Sequence, residues 1–157
     1  MADLNPASTP LSLYIHMPWC VRKCPYCDFN SHAVPDGKLS LDLEQEYLQA
    51  LVEDLKIQID FAQGRHIHSV FIGGGTPSLI SAKAYQWLFT QLKSLIPFED
   101  GCEITLEANP GTVEHDPFAG YLDAGINRLS IGVQSFNTDH LKKLGRIHSN
   151  DDAVNAI

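Results

Sequence analysis

Four short apolar runs, each followed by a segment with helical spacing, constrain this chain more than any other feature of its sequence. The runs are residues 11–16 (LSLYIH), 69–72 (SVFI), 103–107 (EITLE) and 127–133 (NRLSIGV), and each reads as a strand. After the first, Leu48, Leu51, Val52, Leu55, Ile59 and Ala62 recur at three- and four-residue steps. Ser40 is placed to cap that helix, with Asp42 and Glu44 in its first turn and Gly64 at its end. Ser81 is placed to cap the second helix, whose stripe is Tyr85, Leu88, Phe89, Leu92, Leu95 and Ile96 before Pro97 stops it. Asp116 reads as the cap of a third helix with Pro117 as its first residue, Phe118, Tyr121 and Leu122 inward, and Gly125 as terminator. Asn137 caps a short helix ended by Gly145, and Ser149 with Asp151 and Asp152 starts another.

Strands that read as apolar on both faces and alternate with helices belong in a parallel sheet. The expected fold class is therefore α/β, the N-terminal part of a parallel (β/α) barrel with about four βα units. A closed TIM barrel takes about 250 residues, so the barrel is expected to be incomplete. Ala153, Val154 and Ile157 begin an apolar stripe that the last residue interrupts, and one sheet edge is expected to lie open where a fifth strand would pair. Residues 1–10 read as an N-terminal extension and 11–157 as the core.

The chain carries 11 basic against 19 acidic side chains, a net charge of −8, which disfavours phosphate backbones and anionic membranes as partners. No apolar run is long enough for a membrane span, and the N-terminus lacks the pattern of a signal or transit peptide. A reducing, cytoplasmic setting is expected, so the four cysteines are read as thiols.

Three of them, Cys20, Cys24 and Cys27, form a C-x3-C-x2-C motif directly after the first strand. Three thiolates at that spacing suit a [4Fe–4S] cluster, with one iron left open to an exogenous ligand. Two other readings compete: zinc held by the cysteines with His16 or His32, and a disulfide, which the compartment and the odd count disfavour. Cys102 reads as a small core residue. Gly73-Gly74-Gly75-Thr76 follows the second strand and lets backbone approach a ligand closely. Glu107 ends the third strand, where a carboxylate can accept from ribose hydroxyls, and Pro110-Gly111 beyond it signals a type II turn. Gln134 and Ser135 follow the fourth strand. In a parallel barrel all of these open onto one face. The histidines at 16, 32, 66, 68, 115, 140 and 148 read as surface or packing residues, His16 excepted because it sits beside the cysteine loop.

The cysteine motif, with Tyr26 just before Cys27, resembles that of the radical S-adenosylmethionine (SAM) superfamily. The segments YIHMPWCVRKCPYCDFNSH, FIGGGTPSLI, EANPGTVE and INRLSIGVQSFN, with LKKLGRIH, resemble the oxygen-independent coproporphyrinogen III oxidase family, nearest its HemW-type heme chaperones. The resemblance implies a [4Fe–4S] cluster whose open iron chelates SAM and whose electron cleaves the sulfonium, the cofactor carrying the chemistry. It implies SAM contacts at Tyr14, Tyr26, Gly74, Gly75, Thr76, Glu107, Gln134 and Arg146, with the glycines at the methionine ammonium, Glu107 at the ribose and Arg146 on the carboxylate side. Without it, Arg146 would read as an exposed cation after a helix end.

The oxidase carries a further cysteine two residues beyond the third ligand, where this chain has Phe29. That departure implies a heme chaperone, passing heme to an acceptor such as a respiratory-chain apoprotein, with the heme site beyond Ile157. The competing expectation is oxidative decarboxylation of coproporphyrinogen III. Its four carboxylates call for a basic pocket, for which Arg22, Lys23, Arg128 and Arg146 are the candidates. Modification of RNA is disfavoured by the net charge.

Overall fold

The computed structural model describes residues 5, 8–110 and 116–157; Gly111 and His115 lie outside them. Strand β1 (Leu11–Met17) leads into the two-residue strands β2 (Trp19–Cys20) and β3 (His32–Ala33). Helix α1 (Leu41–Gln58), strand β4 (Ile67–Gly74), helix α2 (Ala82–Leu95) and strand β5 (Phe98–Ala108) follow. Helix α3 (Phe118–Asp123), strand β6 (Arg128–Ile131), and helices α4 (Thr138–Lys143) and α5 (Asn150–Asn155) complete the chain. The main sheet runs β1-β4-β5-β6, every neighbouring pair parallel, with α1, α2 and α3 as the crossovers. β2 and β3 pair separately, also in parallel.

Ser40 and Ser81 cap α1 and α2, accepting from Leu43 and Ala84. Buried Glu44 joins the two helix starts: its Oε2 accepts from the Ser81 N–H at 2.8 Å and its Oε1 from the Ser81 hydroxyl at 3.1 Å. The start of α3 differs from expectation by one residue, for Pro117 is the cap and Phe118 the first helical residue. Asp116 instead accepts from the Ala82 N–H at 2.7 Å, supplying a partner to one of the orphan donors of α2. Leu122, expected inward, is exposed; in so short a helix Tyr121 alone is fully buried, with Phe118 half-packed against the core.

Two further corrections concern the sheet. β5 begins at Phe98, ahead of the expected start, because Phe98 already pairs with Ile67 before a register shift; Gly101, at φ 75°, lies between the paired stretches. The strands are also not apolar on both faces. Ile15, Met17, Val70, Ile72, Ile104 and Leu106 face α1 and α2 and form the core with Leu48, Val52, Tyr85, Leu88, Phe89 and Leu92. The alternate residues lie in largely polar rows across the other face, such as Tyr14, Thr105 and Arg128 in register with Phe71, whose ring stacks on Tyr14. There Arg128 Nη1 donates to the Thr105 hydroxyl at 3.2 Å and to Glu103 at 3.3 Å, and the Ser12 and Ser69 hydroxyls meet at 2.8 Å.

The segment after β4 hangs from two buried phenols. Tyr121 donates to the Ser78 and Ile80 carbonyls at 2.8 and 3.0 Å, and Tyr85 donates to the Pro77 carbonyl at 2.9 Å. Burial holds the Tyr85 phenol far above its ordinary pKa, so it stays a donor. Tyr121→Phe leaves the acceptors at Ser78 and Ile80 without that hydroxyl. It is expected to lower unfolding free energy by about 1–3 kcal/mol, read as an earlier urea midpoint at unchanged slope.

Candidate functional site

The cysteine loop is built as a closed excursion. Where it leaves, Trp19 and Cys20 pair with His32 and Ala33, where it returns. The His32 N–H donates to the Pro18 carbonyl at 2.6 Å and the Val34 N–H to the Cys20 carbonyl at 2.9 Å. Inside it, the Cys27 N–H closes a turn onto the Cys24 carbonyl at 3.1 Å, and Lys23 Nζ donates to the Phe29 carbonyl at 3.1 Å. His16, from β1, uses Nε2 on the Asn30 carbonyl at 2.8 Å and Nδ1 on the Tyr14 hydroxyl at 2.9 Å. A carbonyl only accepts, so Nε2 carries the proton and Nδ1 receives the one from Tyr14.

The glycine loop is fixed against this excursion by backbone. Gly75 N–H donates to the Met17 carbonyl at 2.7 Å and Thr76 N–H to the Trp19 carbonyl at 2.6 Å. A Cβ on Gly75 would collide with the Trp19 carbonyl oxygen, so the approach requires glycine. Gly74, at φ 112°, has the His16 ring where its Cβ would be, at 2.6 Å. Its N–H donates to Glu107 Oε2 at 3.2 Å, which aims that carboxylate across the sheet end.

Cys20, Cys24, Tyr26, Cys27, Gly74, Gly75, Thr76, Glu107, Gln134 and Arg146 all border one cavity of about 410 Å³, at the carboxyl ends of β4, β5 and β6. That size lies within the usual range for small-molecule sites, about 300–1,000 Å³. Tyr14 does not border it; it lies on the polar face of β1 and touches the site through His16. Burial first, and Glu107 second, hold the Tyr14 phenol above its ordinary pKa. Gln134 has φ 64°, a left-handed backbone that costs a residue with a side chain of this size energy and that clusters at functional sites. Arg146 is no free helix-end cation: Nη2 donates to Asn109 Oδ1 and to the Gly132 carbonyl, and Nη1 lies 3.4 Å from Cys24 Sγ.

Asn109, Ser130, Gly132 and Phe29 also line the cavity and were not singled out as site residues from the sequence. Asn109 lies two residues past Glu107 beyond the strand end, and that spacing was its only signal.

The donor set fits an iron–sulfur cluster. All four cysteines are free thiols, and three border the cavity together. Arg146 Nε is buried there with no hydrogen-bond partner among the described residues, an orphan donor at the site wall. A zinc reading loses His16, whose ring nitrogens are both engaged.

A model of the radical SAM superfamily matches residues 14–157. The chain belongs to the radical SAM superfamily. Membership implies a [4Fe–4S] cluster and SAM, and the four-stranded parallel sheet is a portion of a radical SAM barrel. This radical SAM chain is 55% identical over 156 residues to the heme chaperone HemW of Haemophilus influenzae, matching 97% of this chain and 40% of that one. It is 55% identical over 147 residues to the heme chaperone HemW of Escherichia coli, at 94% and 38% of the two chains. Among solved structures it resembles coproporphyrinogen III oxidase (HemN) from Escherichia coli, a radical SAM enzyme. There the TM-score is 0.80 and the identity 29%, over 98% of this chain and 34% of that one. The chain thus spans about two fifths or less of the length of these relatives. No helix among the described residues is long and apolar enough to cross a membrane.

His148, two residues past Arg146, is buried, with Nε2 on the Val133 carbonyl at 3.0 Å and Nδ1 without a partner among the described residues. Burial, with Arg146 adding to it, holds its pKa below the ordinary 6.5 despite the opposing Val133 carbonyl and Asp152. Below pH 6.5 the unfolded chain takes up this proton before the native chain does. Stability is therefore expected to be at its full value above that pH and to fall as the solution is acidified through the lowered folded value. Urea titrations between pH 7.5 and 5.0 check this, and His148→Gln is expected to flatten the slope.

Proposed function

We propose that Cys20, Cys24 and Cys27 hold a [4Fe–4S] cluster with SAM in the adjoining cavity, and that the whole protein is a heme chaperone. The carrying observation is the convergence of three free thiols from one loop with the glycine loop, Glu107, Gln134 and Arg146 on a single cavity. When bound, the cluster and SAM supply an electron and a sulfonium carbon–sulfur bond for it to break. The chain's own side chains bind and orient. Gly74, Gly75 and Thr76 present backbone at the methionine end, and Tyr26 flanks the adenine. Glu107, aimed by the Gly74 N–H, takes the ribose hydroxyls. Gln134 offers an amide from its left-handed backbone, and Arg146 faces the carboxylate. Tyr14 contributes through His16, which fixes the return of the cysteine loop at Asn30.

Two observations support a chaperone over an oxidase. The HemW relatives are 55% identical to this chain, whereas HemN is 29% identical. The cavity is also a poor match to a tetracarboxylate: Arg22 donates to the Gly145 carbonyl and Arg146 to Asn109 and Gly132, while Glu107 is an anion on the same wall. Heme would then be held beyond residue 157 and passed to an acceptor such as a respiratory-chain apoprotein. The four free thiols suit the cytoplasm.

Cys24→Ser is expected to abolish visible iron–sulfide absorbance and most bound iron after anaerobic reconstitution; wild-type iron and sulfide content would mean that the ligands are others. For the function, the full-length reduced protein is given SAM with coproporphyrinogen III or with heme. Stoichiometric heme binding without turnover is expected. Catalytic formation of protoporphyrinogen would establish the oxidase reading instead.

A further inference from the structure

Arg146 reaches the cysteine loop from far along the chain, and its guanidinium is positioned without help from any ligand. Nη2 donates to the Gly132 carbonyl at 2.9 Å and to Asn109 Oδ1. Asn109 is itself oriented, because its amide donates to the Thr76 hydroxyl at 3.2 Å. The other terminal nitrogen, Nη1, lies 3.4 Å from Cys24 Sγ and 3.5 Å from the Tyr26 hydroxyl. The contact is held from the opposite direction as well. Arg22, inside the loop, donates back to the Gly145 carbonyl, and a Cβ on Gly145 would lie only 2.8 Å from Pro25 Cδ. The turn before Arg146 and the residue after Cys24 are therefore packed together, and Arg146 addresses one cysteine sulfur out of three.

A charge-assisted N–H donated to a ligand sulfur favours the more negative state of a cluster, and hydrogen bonds to sulfur are among the factors that set cluster potentials. We propose that Arg146, aimed by Asn109, raises the reduction potential of the cluster by donating to Cys24 Sγ, so that the cluster accepts its electron more readily. This inference rests on the cluster reading above and is separate from any contact Arg146 makes to SAM. Arg146 acts through a ligand sulfur and Asn109 acts through Arg146, so both are positioning residues. Among the described residues the other charged groups bordering the cavity are Arg22 and Glu107; Arg22 is held on the Gly145 carbonyl and Glu107 on the Gly74 N–H.

The test is a potentiometric titration of the anaerobically reconstituted full chain without SAM, followed by electron paramagnetic resonance. Wild type, Arg146→Met, Arg146→Lys and Asn109→Ala are compared at matched iron and sulfide content. At a fixed applied potential, the reduced-to-oxidised ratio is expected to fall about tenfold in Arg146→Met, a shift of about 59 mV for a one-electron couple. Asn109→Ala is expected to shift it in the same direction by less, and Arg146→Lys, which keeps the charge, to lie nearer wild type. Unchanged potentials in both Arg146→Met and Asn109→Ala overturn the proposal. If Arg146→Met binds no cluster, Asn109→Ala decides alone, since it keeps every thiol and the guanidinium. If neither variant binds a cluster, the pair serves assembly and the proposal is likewise overturned. Wild-type protein that takes up no iron and sulfide counts against the cluster reading itself, which separates the two failures.

Discussion

Two backbone hydrogen bonds, Gly75 to the Met17 carbonyl and Thr76 to the Trp19 carbonyl, fix how the rest of the site is laid out. They join the exit of β4 to the last residue of β1 and to the first of β2. The junction admits no side chain at Gly75, so the two segments lie at backbone contact distance. Cys20 is one residue past Trp19, so its position relative to the glycine loop follows from main-chain geometry. The buried phenols of Tyr85 and Tyr121 then hold the continuation of that loop from the helix side. A site built on such contacts keeps its shape through hydrogen bonds that are hard to replace once buried.

The sheet divides its two faces between stability and chemistry. The face toward α1 and α2 is closely packed and apolar, and the hydrophobic driving force for folding is concentrated there. The other face carries hydroxyl, carboxylate and guanidinium groups paired across the strands, and the His16 imidazole bonded to Tyr14 along β1. Side chains at the carboxyl ends of the strands continue that polar pattern into the cavity, as parallel α/β architectures generally do. The packed face supports the polar one.

Much of this was legible in the chain's letters. Helix caps at Ser40, Ser81, Asn137 and Ser149 rest on local side-chain to backbone bonds, which a short window of sequence contains. The cavity wall was legible because residues after strand ends share one mouth. What escaped depended on distant partners. Asp116 looked like a cap for its own helix, but the N–H it accepts from belongs to Ala82. The beginning of β5 was hidden by Glu99, Asp100 and Gly101, which interrupt an apolar pattern without ending the strand. Asn109 gave only its spacing from Glu107, since its contacts come from Thr76 on one side and Arg146 on the other. The polar face was misread because short strands rich in apolar residues conceal a period-two alternation until partners are known.

The pairing of β2 with β3 gives the cysteine loop a common base, like the neck of a purse closed by a drawstring. Chain ends brought together in this way have already lost most of their freedom, since closing a loop is the entropically demanding part of ordering it. A loop tied at its base in this way keeps its outline through main-chain bonds, whatever its side chains do. Loss of a contact inside the loop would therefore be a local injury that leaves the paired base standing.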